Sequence, residues 1–152
     1  ERIMYKLTQT FTKIFSSFQG LALLIVRLTL AYGFYEPAIR KLANFNDIVI
    51  SFGQDLHLPF PYANAVLATG AEALGVIALT LGLGTRFFAI PLLVVMTVAI
   101  TMVHWVHGFA CAEHGWEIPY YYFVLLFVLM STGAGKYSMD ETFLKKYFGS
   151  GK

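Results

Sequence analysis

Residues 87–106 read FFAIPLLVVMTVAITMVHWV, twenty positions without a single Asp, Glu, Lys or Arg. Wound as an α-helix at about 1.5 Å per residue, such a stretch matches a bilayer hydrocarbon core of roughly 30 Å. A surface helix of a soluble domain keeps a polar face, and this one has none. Working outward, the preceding link Leu83-Gly84-Thr85-Arg86 admits only a tight turn, so the apolar window from Tyr62 to Leu81 lies antiparallel beside it. Windows from Gly20 to Leu42 and from Ile118 to Thr132 complete the set. The fold class that follows is all-α, an integral-membrane antiparallel four-helix bundle. The connection from Asn44 to Pro61 holds Asn, Asp, Gln, His and two prolines, and has room for extra architecture.

Composition points the same way. Hydrophobic residues make up 57% of the chain and charged residues 13%, against about 45–50% and about 25% in ordinary soluble domains. A net charge of +2, scattered along the chain, excludes a nucleic-acid partner as the reading of its basic residues. Cys111 stands alone, which excludes a disulfide within this chain and any four-cysteine metal centre. No glycine-rich phosphate or dinucleotide pattern is present in a strand–helix context.

Ahead of the first window, Ile3, Leu7, Phe11, Ile14 and Phe18 recur at steps of three and four, with Lys6 and Lys13 elsewhere on the wheel. That spacing predicts an amphipathic interfacial N-terminal helix lying on membrane lipid. Phe143, Leu144, Tyr147 and Phe148, interleaved with Lys145 and Lys146, repeat the arrangement at the other end. The chain divides into an amphipathic segment over 1–19, a four-span domain over 20–135 and a tail over 136–152. The first window carries no small-residue cleavage signal and reads as a span.

Lysines and arginines gather on the cytoplasmic side of short loops. Arg2, Lys6 and Lys13 precede the first span, Arg86 sits in the short link, and Lys136, Lys145, Lys146 and Lys152 follow the last. Both termini are therefore predicted to be cytoplasmic, with the first and third loops outside. Arg40 and Lys41 run against this rule and, beside Glu36, read as a neutralised site.

Ionisable groups within spans are costly unless paired or hydrated, so each is a candidate functional residue. Arg27 and Glu72 fall at similar depths on antiparallel neighbours and are predicted partners, either as a packing ion pair or as an anchor for a ligand head group. At the outer side Glu36, Arg40 and Lys41 end the first span, and His104 and His107 end the third, with Cys111, Glu113, His114 and Glu117 following. His104, His107, Cys111 and His114 would share one face if the third helix continued, a donor set suited to zinc or copper. Glu36, His104, His107 and Cys111 are the candidates for proton or thiol chemistry. Trp105, Trp116 and Tyr120 to Tyr122 read as an interfacial aromatic belt.

Several local patterns then coincide. Arg27-Leu28, Lys41-Leu42, Leu58-Pro59, Glu72 with Gly75, Leu81-Gly82-Leu83-Gly84-Thr85-Arg86 and Gly133-Ala134-Gly135-Lys136-Tyr137-Ser138-Met139-Asp140 together resemble the DoxX family of small four-span bacterial membrane proteins, over roughly residues 21–140. The resemblance implies a bacterial cytoplasmic (inner) membrane protein tied to oxidoreductase systems, quinone- or thiol-linked, and makes Arg27, Lys41, Glu72, Arg86, Tyr137 and Asp140 the motif positions. The chain departs from the family's usual pattern at Glu36-Pro37 and in its His- and Cys-bearing third loop, and it resembles the HvfX branch, whose members accompany machinery for modified, metal-binding peptides. Two functions compete. In one, a quinone or thiol enters the bundle, with Arg27, Arg40, Lys41 and Glu72 as cofactor-binding residues. In the other, the chain is a non-enzymatic scaffold or metal-handling subunit that works with a protein partner or as a homo-oligomer.

Overall fold

The structure, a computed structural model, describes residues 2–148, and within them the side chains of Ile3, Lys6, Thr10, Ile14, Leu144, Lys145, Tyr147 and Phe148 are outside the description. The parts of the two amphipathic patterns carried by those residues, and the charge at Lys152, therefore lie outside the described residues.

The described chain is helical. In order come α1 (Arg2–Ser17), α2 (Gln19–Ala43), α3 (Phe45–Gln54), α4 (Pro61–Leu81), α5 (Thr85–Val98), α6 (Glu117–Thr132) and α7 (Met139–Phe148). A π-helical segment, Ala99–His104, and a 3₁₀ turn, Trp105–His107, extend α5. Helical stretches long and apolar enough to cross a membrane run over Leu7–Ala43, Pro61–Leu81 and Thr85–His107. α6 is apolar but shorter, at 16 residues. The windows read from sequence thus coincide with α2, α4, α5 with its extension, and α6. Two features differ. Only a single turn at Phe18 separates α1 from α2, where Phe18 N–H donates to Phe15 O at 3.1 Å and Ala22 N–H to Phe18 O at 2.9 Å. The first loop contains a helix of its own, α3, which lies against α4 and sets Phe45 edge-on to Tyr62 with ring centroids 5.6 Å apart.

α2 packs on α4, α4 on α5, and α5 on α6, which returns to touch α2. Leu30, Phe34, Leu79, Leu92, Leu126 and Leu129 fill the space between them and are fully or almost fully buried. Small residues let the backbones close up, since lipid gives apolar helices no hydrophobic reason to associate and close packing has to supply one. Ala31, Ala38, Ala65, Gly75, Ala78 and Ala89 are all buried. At Gly75 a β-carbon would stand 2.8 Å from Leu92 Cδ1, so α4 and α5 touch there only because the side chain is absent. The outward faces carry Leu28, Leu67, Ile77, Phe87, Ile90 and Val94, all exposed, which is coherent in lipid and not in water.

The α4–α5 turn requires left-handed backbone at Gly82 (φ 67°) and Gly84 (φ 57°). Gly82 ends α4 in the αL conformation common at helix C-termini, and Leu83 N–H returns to Ala78 O at 3.0 Å. Any side chain at Gly82 would also run into the guanidinium of Arg27.

Candidate functional site

Every side chain on a helix leans toward that helix's own N-terminus. On α2 the lean is toward the end where the chain enters the membrane, and on antiparallel α4 it is toward the opposite end. Arg27 and Glu72 therefore lean away from each other, whereas Lys41, at the far end of α2, leans back to meet Glu72. Lys41 Nζ lies 2.6 Å from Glu72 Oε1, with the two side chains 17% and 2% exposed. The predicted Arg27–Glu72 pairing is thus replaced by Lys41–Glu72, about 21 Å along α2 from Arg27 at the helical rise. Matching depths by counting residues from the window ends misses this lean.

Arg27 is fully buried and serves the other end of the molecule. Its Nη2 donates to the Tyr137 carbonyl and its Nη1 to that of Leu79 at 3.5 Å. Asp140 accepts from the backbone N–H groups of Gly84 and Thr85, at 2.7 and 3.2 Å, and so caps the start of α5 from the start of α7. Its own N–H donates to Gly82 O at 3.0 Å. Arg86 Nη2 reaches the Thr132 carbonyl, 3.2 Å away, at the C-terminus of α6. The motif positions therefore separate into two groups. Arg27, Arg86, Tyr137 and Asp140 fasten loops and helix ends at one side, while Lys41 and Glu72 form a pair near the other.

Around that pair opens a cavity of about 720 Å³ between α2, α4, α5, α6 and the first and third loops. Its wall is mostly apolar and includes Phe34, Leu67, Val94, Val95, Met96 and Tyr122. Arg40, Lys41, Glu72, His104, Cys111 and His114 add polar groups. Three departures from regular helix border it: Pro37 within α2, Pro91 within α5, and the π-helical segment that contributes Ala99, Val103 and His104. Each proline removes one backbone hydrogen bond from its helix, and π-helical turns recur at functional sites. Gly33 lets the Tyr122 ring lie directly against α2, where it also meets Phe34 edge-on with centroids 5.5 Å apart.

Glu72 is the chemically exposed member of this wall in one sense: its Oε1 is held by Lys41, but its buried Oε2 has no hydrogen-bond partner. A volume of this size, apolar with a few convergent polar groups, has the form of a small-molecule site.

The structure places the remaining candidates as follows. Arg40, His104, Cys111 and His114 line the cavity with Lys41 and Glu72, whereas Glu36 and His107 are exposed and outside its lining, and Arg27 is remote from it. The helix that would have set His104, His107, Cys111 and His114 on one face stops at His107, and Gly108 (φ 74°) turns the chain away. Among the described residues no group of three or more His, Cys, Asp and Glu side chains lies close enough to hold a metal ion. The third loop is tied by other contacts. His104 Nδ1 lies 2.6 Å from the His114 carbonyl. A carbonyl only accepts, so Nδ1 is the donor in this contact. Glu117 accepts from the Cys111 backbone N–H at 2.9 Å and from Tyr121 O–H at 3.1 Å. Trp105 and Trp116 stack with centroids 5.8 Å apart and Phe109 meets Trp116 edge-on at 4.7 Å, so the aromatic residues form one connected cluster. Prolines inside two apolar windows, Pro37 and Pro91, are the sequence signal for these departures from regular helix, and Tyr122, in the predicted aromatic belt, instead lines the cavity.

A family model, DoxX, matches residues 22–105, which spans α2 to the start of the third loop and contains Lys41, Glu72 and His104. An uncharacterized protein of Haemophilus influenzae is 34% identical over 135 residues, covering 85% of this chain and 87% of the relative. No solved structure matches the chain. With a family model covering more than half its length and a relative matched along most of both chains, this protein belongs to the DoxX family.

Proposed function

We propose that the chain is a four-span protein of the bacterial inner membrane that binds a quinone-type molecule in the Lys41–Glu72 cavity as part of a redox system, in company with a protein partner. α6 is the fourth span on this reading. It is apolar along its length and packs on α5 and α2, and although its roughly 24 Å fall short of a full hydrocarbon core, Trp116 just ahead of it is a residue type that sits at the membrane interface. An even number of spans leaves both termini on one face, and the lysines and arginines outside the spans make that face cytoplasmic. The cavity then opens in the outer half of the membrane.

The observation that carries the binding assignment is the buried Glu72–Lys41 pair in the wall of a mostly apolar chamber of about 720 Å³. A ring with two polar oxygens and an apolar tail suits such a wall: the charged pair would take the oxygens, and Phe34, Tyr122, Leu67 and Val94 would cover the apolar parts. When bound, such a group supplies reversible two-electron chemistry coupled to protons. Lys41 Nζ would donate to a ring oxygen, Glu72 would hold the lysine in place, and the His104 imidazole, tied through Nδ1 to the His114 carbonyl, would stand at the wall as a proton-carrying group.

The test is organic extraction of the protein purified from membranes in mild detergent. Near-stoichiometric quinone is expected, and Ala68→Phe, which fills the cavity from α4, is expected to lose it while keeping its helical circular dichroism. Quinone no higher than in protein-free micelles carried through the same purification would refute the assignment.

A further inference from the structure

We propose that a second pocket, at the end of the bundle that carries both termini, holds the phosphate of an anionic phospholipid. Where the α1–α2 junction, the α4–α5 turn and the segment between α6 and α7 meet, a hollow of about 990 Å³ opens, and it shares no lining residue with the Lys41–Glu72 cavity. α2, α4, α5 and α6 each begin or end beside it, which sets it at the level of lipid head groups.

Two cations line the hollow, Arg86 just after the α4–α5 turn and Lys136 just after Gly135. The Arg86 side chain lies against Gly133, where a β-carbon would stand 3.1 Å from its Nε, and the Lys136 stem lies against Gly20, where a β-carbon would stand 3.0 Å from its own Cβ. The cations thus bracket one short segment, Gly133 to Lys136. Neither has its donors used up. Arg86 gives Nη2 to the Thr132 carbonyl, but among the described residues its Nε and Nη1 have no acceptor. Lys136 Nζ stands 5.9 Å from the centroid of the Tyr137 ring and makes no hydrogen bond among the described residues. Asp140 and Glu141 also line the hollow. Both Asp140 oxygens are taken by the Gly84 and Thr85 N–H groups, and neither Arg86 nor Lys136 is ion-paired among the described residues.

A guanidinium offers a fork of N–H donors that matches phosphate oxygens, and an ammonium adds a point charge. The rim argues that the phosphate arrives on a lipid. Phe87, next to Arg86, is 71% exposed, and Leu83 and Phe143 are exposed too, so the cations stand beside an apolar surface that an acyl chain covers. A soluble phosphate gains nothing from that surface. A choline head group brings its own cation beside the phosphate, whereas a lipid of net negative charge leaves both protein cations unopposed. Each Lys or Arg near a membrane surface is worth about fivefold in attraction to anionic lipid.

The experiment is native mass spectrometry of the full chain released from neutral-detergent micelles that hold equal amounts of phosphatidylglycerol and phosphatidylcholine with the same acyl chains. One phosphatidylglycerol is expected to stay bound, with a preference of about fivefold or more over phosphatidylcholine. Arg86→Gln and Lys136→Gln are each expected to cut that preference by about threefold or more, whereas Lys13→Gln, the same charge change on α1 outside the lining, is expected to leave it within about 1.5-fold. Arg86 also holds the Thr132 carbonyl, so exposed Lys136 carries the test if Arg86→Gln folds poorly. Excess inorganic phosphate, compared with chloride at equal ionic strength, separates the two sources of the group. Lipid retention unchanged by phosphate is expected, and displacement would assign the hollow to soluble phosphate and overturn the lipid reading. Equal retention of the two lipids, or a loss in Lys13→Gln as large as in Lys136→Gln, overturns the proposal outright.

Discussion

Replacing Lys41 by Met removes the cation and leaves the rest of the wall in place, so it isolates what the ion pair contributes to stability. Glu72 is 2% exposed and Lys41 17%, which makes the two changes unequal. Without Lys41 the Glu72 carboxylate keeps no hydrogen-bond partner on either oxygen, because Oε2 has none to begin with. Removing one member of a buried pair costs about 3–5 kcal/mol, and the partial exposure of Lys41 places this case near the lower figure. Glu72→Met is expected to cost less, since the long lysine stem can carry its ammonium outward to the membrane surface while its methylenes stay in apolar contact. The double variant Lys41→Met/Glu72→Met is expected to recover most of the loss, as an apolar pair of similar volume replaces a buried ion pair at little or no net cost. Equilibrium unfolding in mixed micelles, followed by circular dichroism, gives the three free energies and closes a double-mutant cycle. A Lys41→Met variant within about 1 kcal/mol of the parent, or a double variant no more stable than Lys41→Met, would refute the reasoning, because either result means that Glu72 does not depend on Lys41.

Other consequences concern the remaining motif residues and the topology. Asp140→Ala is expected to cost about 1–2 kcal/mol as a lost helix cap, and to speed amide exchange at Gly84 and Thr85 with little change in mid-helix α5. Arg27→Met removes charged hydrogen bonds, each worth about 1.5–3 kcal/mol, from the Leu79 and Tyr137 carbonyls. Limited proteolysis should then cut between Gly133 and Asp140, and unchanged cleavage would show that Arg27 does not hold that segment. Gly33→Ala drives a methyl group into the Tyr122 ring and is expected to cost about 1–3 kcal/mol by overpacking, relieved by Tyr122→Leu in the same chain. Cys111 is exposed in the third loop, so a membrane-impermeant maleimide should label it in intact spheroplasts; labelling only after lysis would invert the proposed orientation.

The apolar windows and the Gly82-Leu83-Gly84 turn were legible because each is a local property. A charge-free run from Phe87 to Val106 has to find an apolar solvent whatever surrounds it, and two glycines next to each other's turn positions permit left-handed backbone that few residues tolerate. The polar residues at depth were legible too, as residues that needed partners. Which partners they took was not. Lys41 meets Glu72, and Arg27 meets the Tyr137 carbonyl, because of the direction in which side chains lean from packed antiparallel helices and the register those helices adopt. The predicted His104, His107, Cys111 and His114 face depended on a helix continuing past His107, and the backbone turn at Gly108 dispersed it. The cavity itself belongs to no stretch of chain. Pro37, Pro91, the π-helical segment and α3 come from distant parts of the sequence and enclose one volume only once the helices are in contact. Solvent preference, span positions and tight turns were set by the sequence alone because short-range physics decides them. The ion pair, the Asp140 cap and the chamber around Glu72 were decided by tertiary packing, because each depends on the distance between groups that the linear order leaves open.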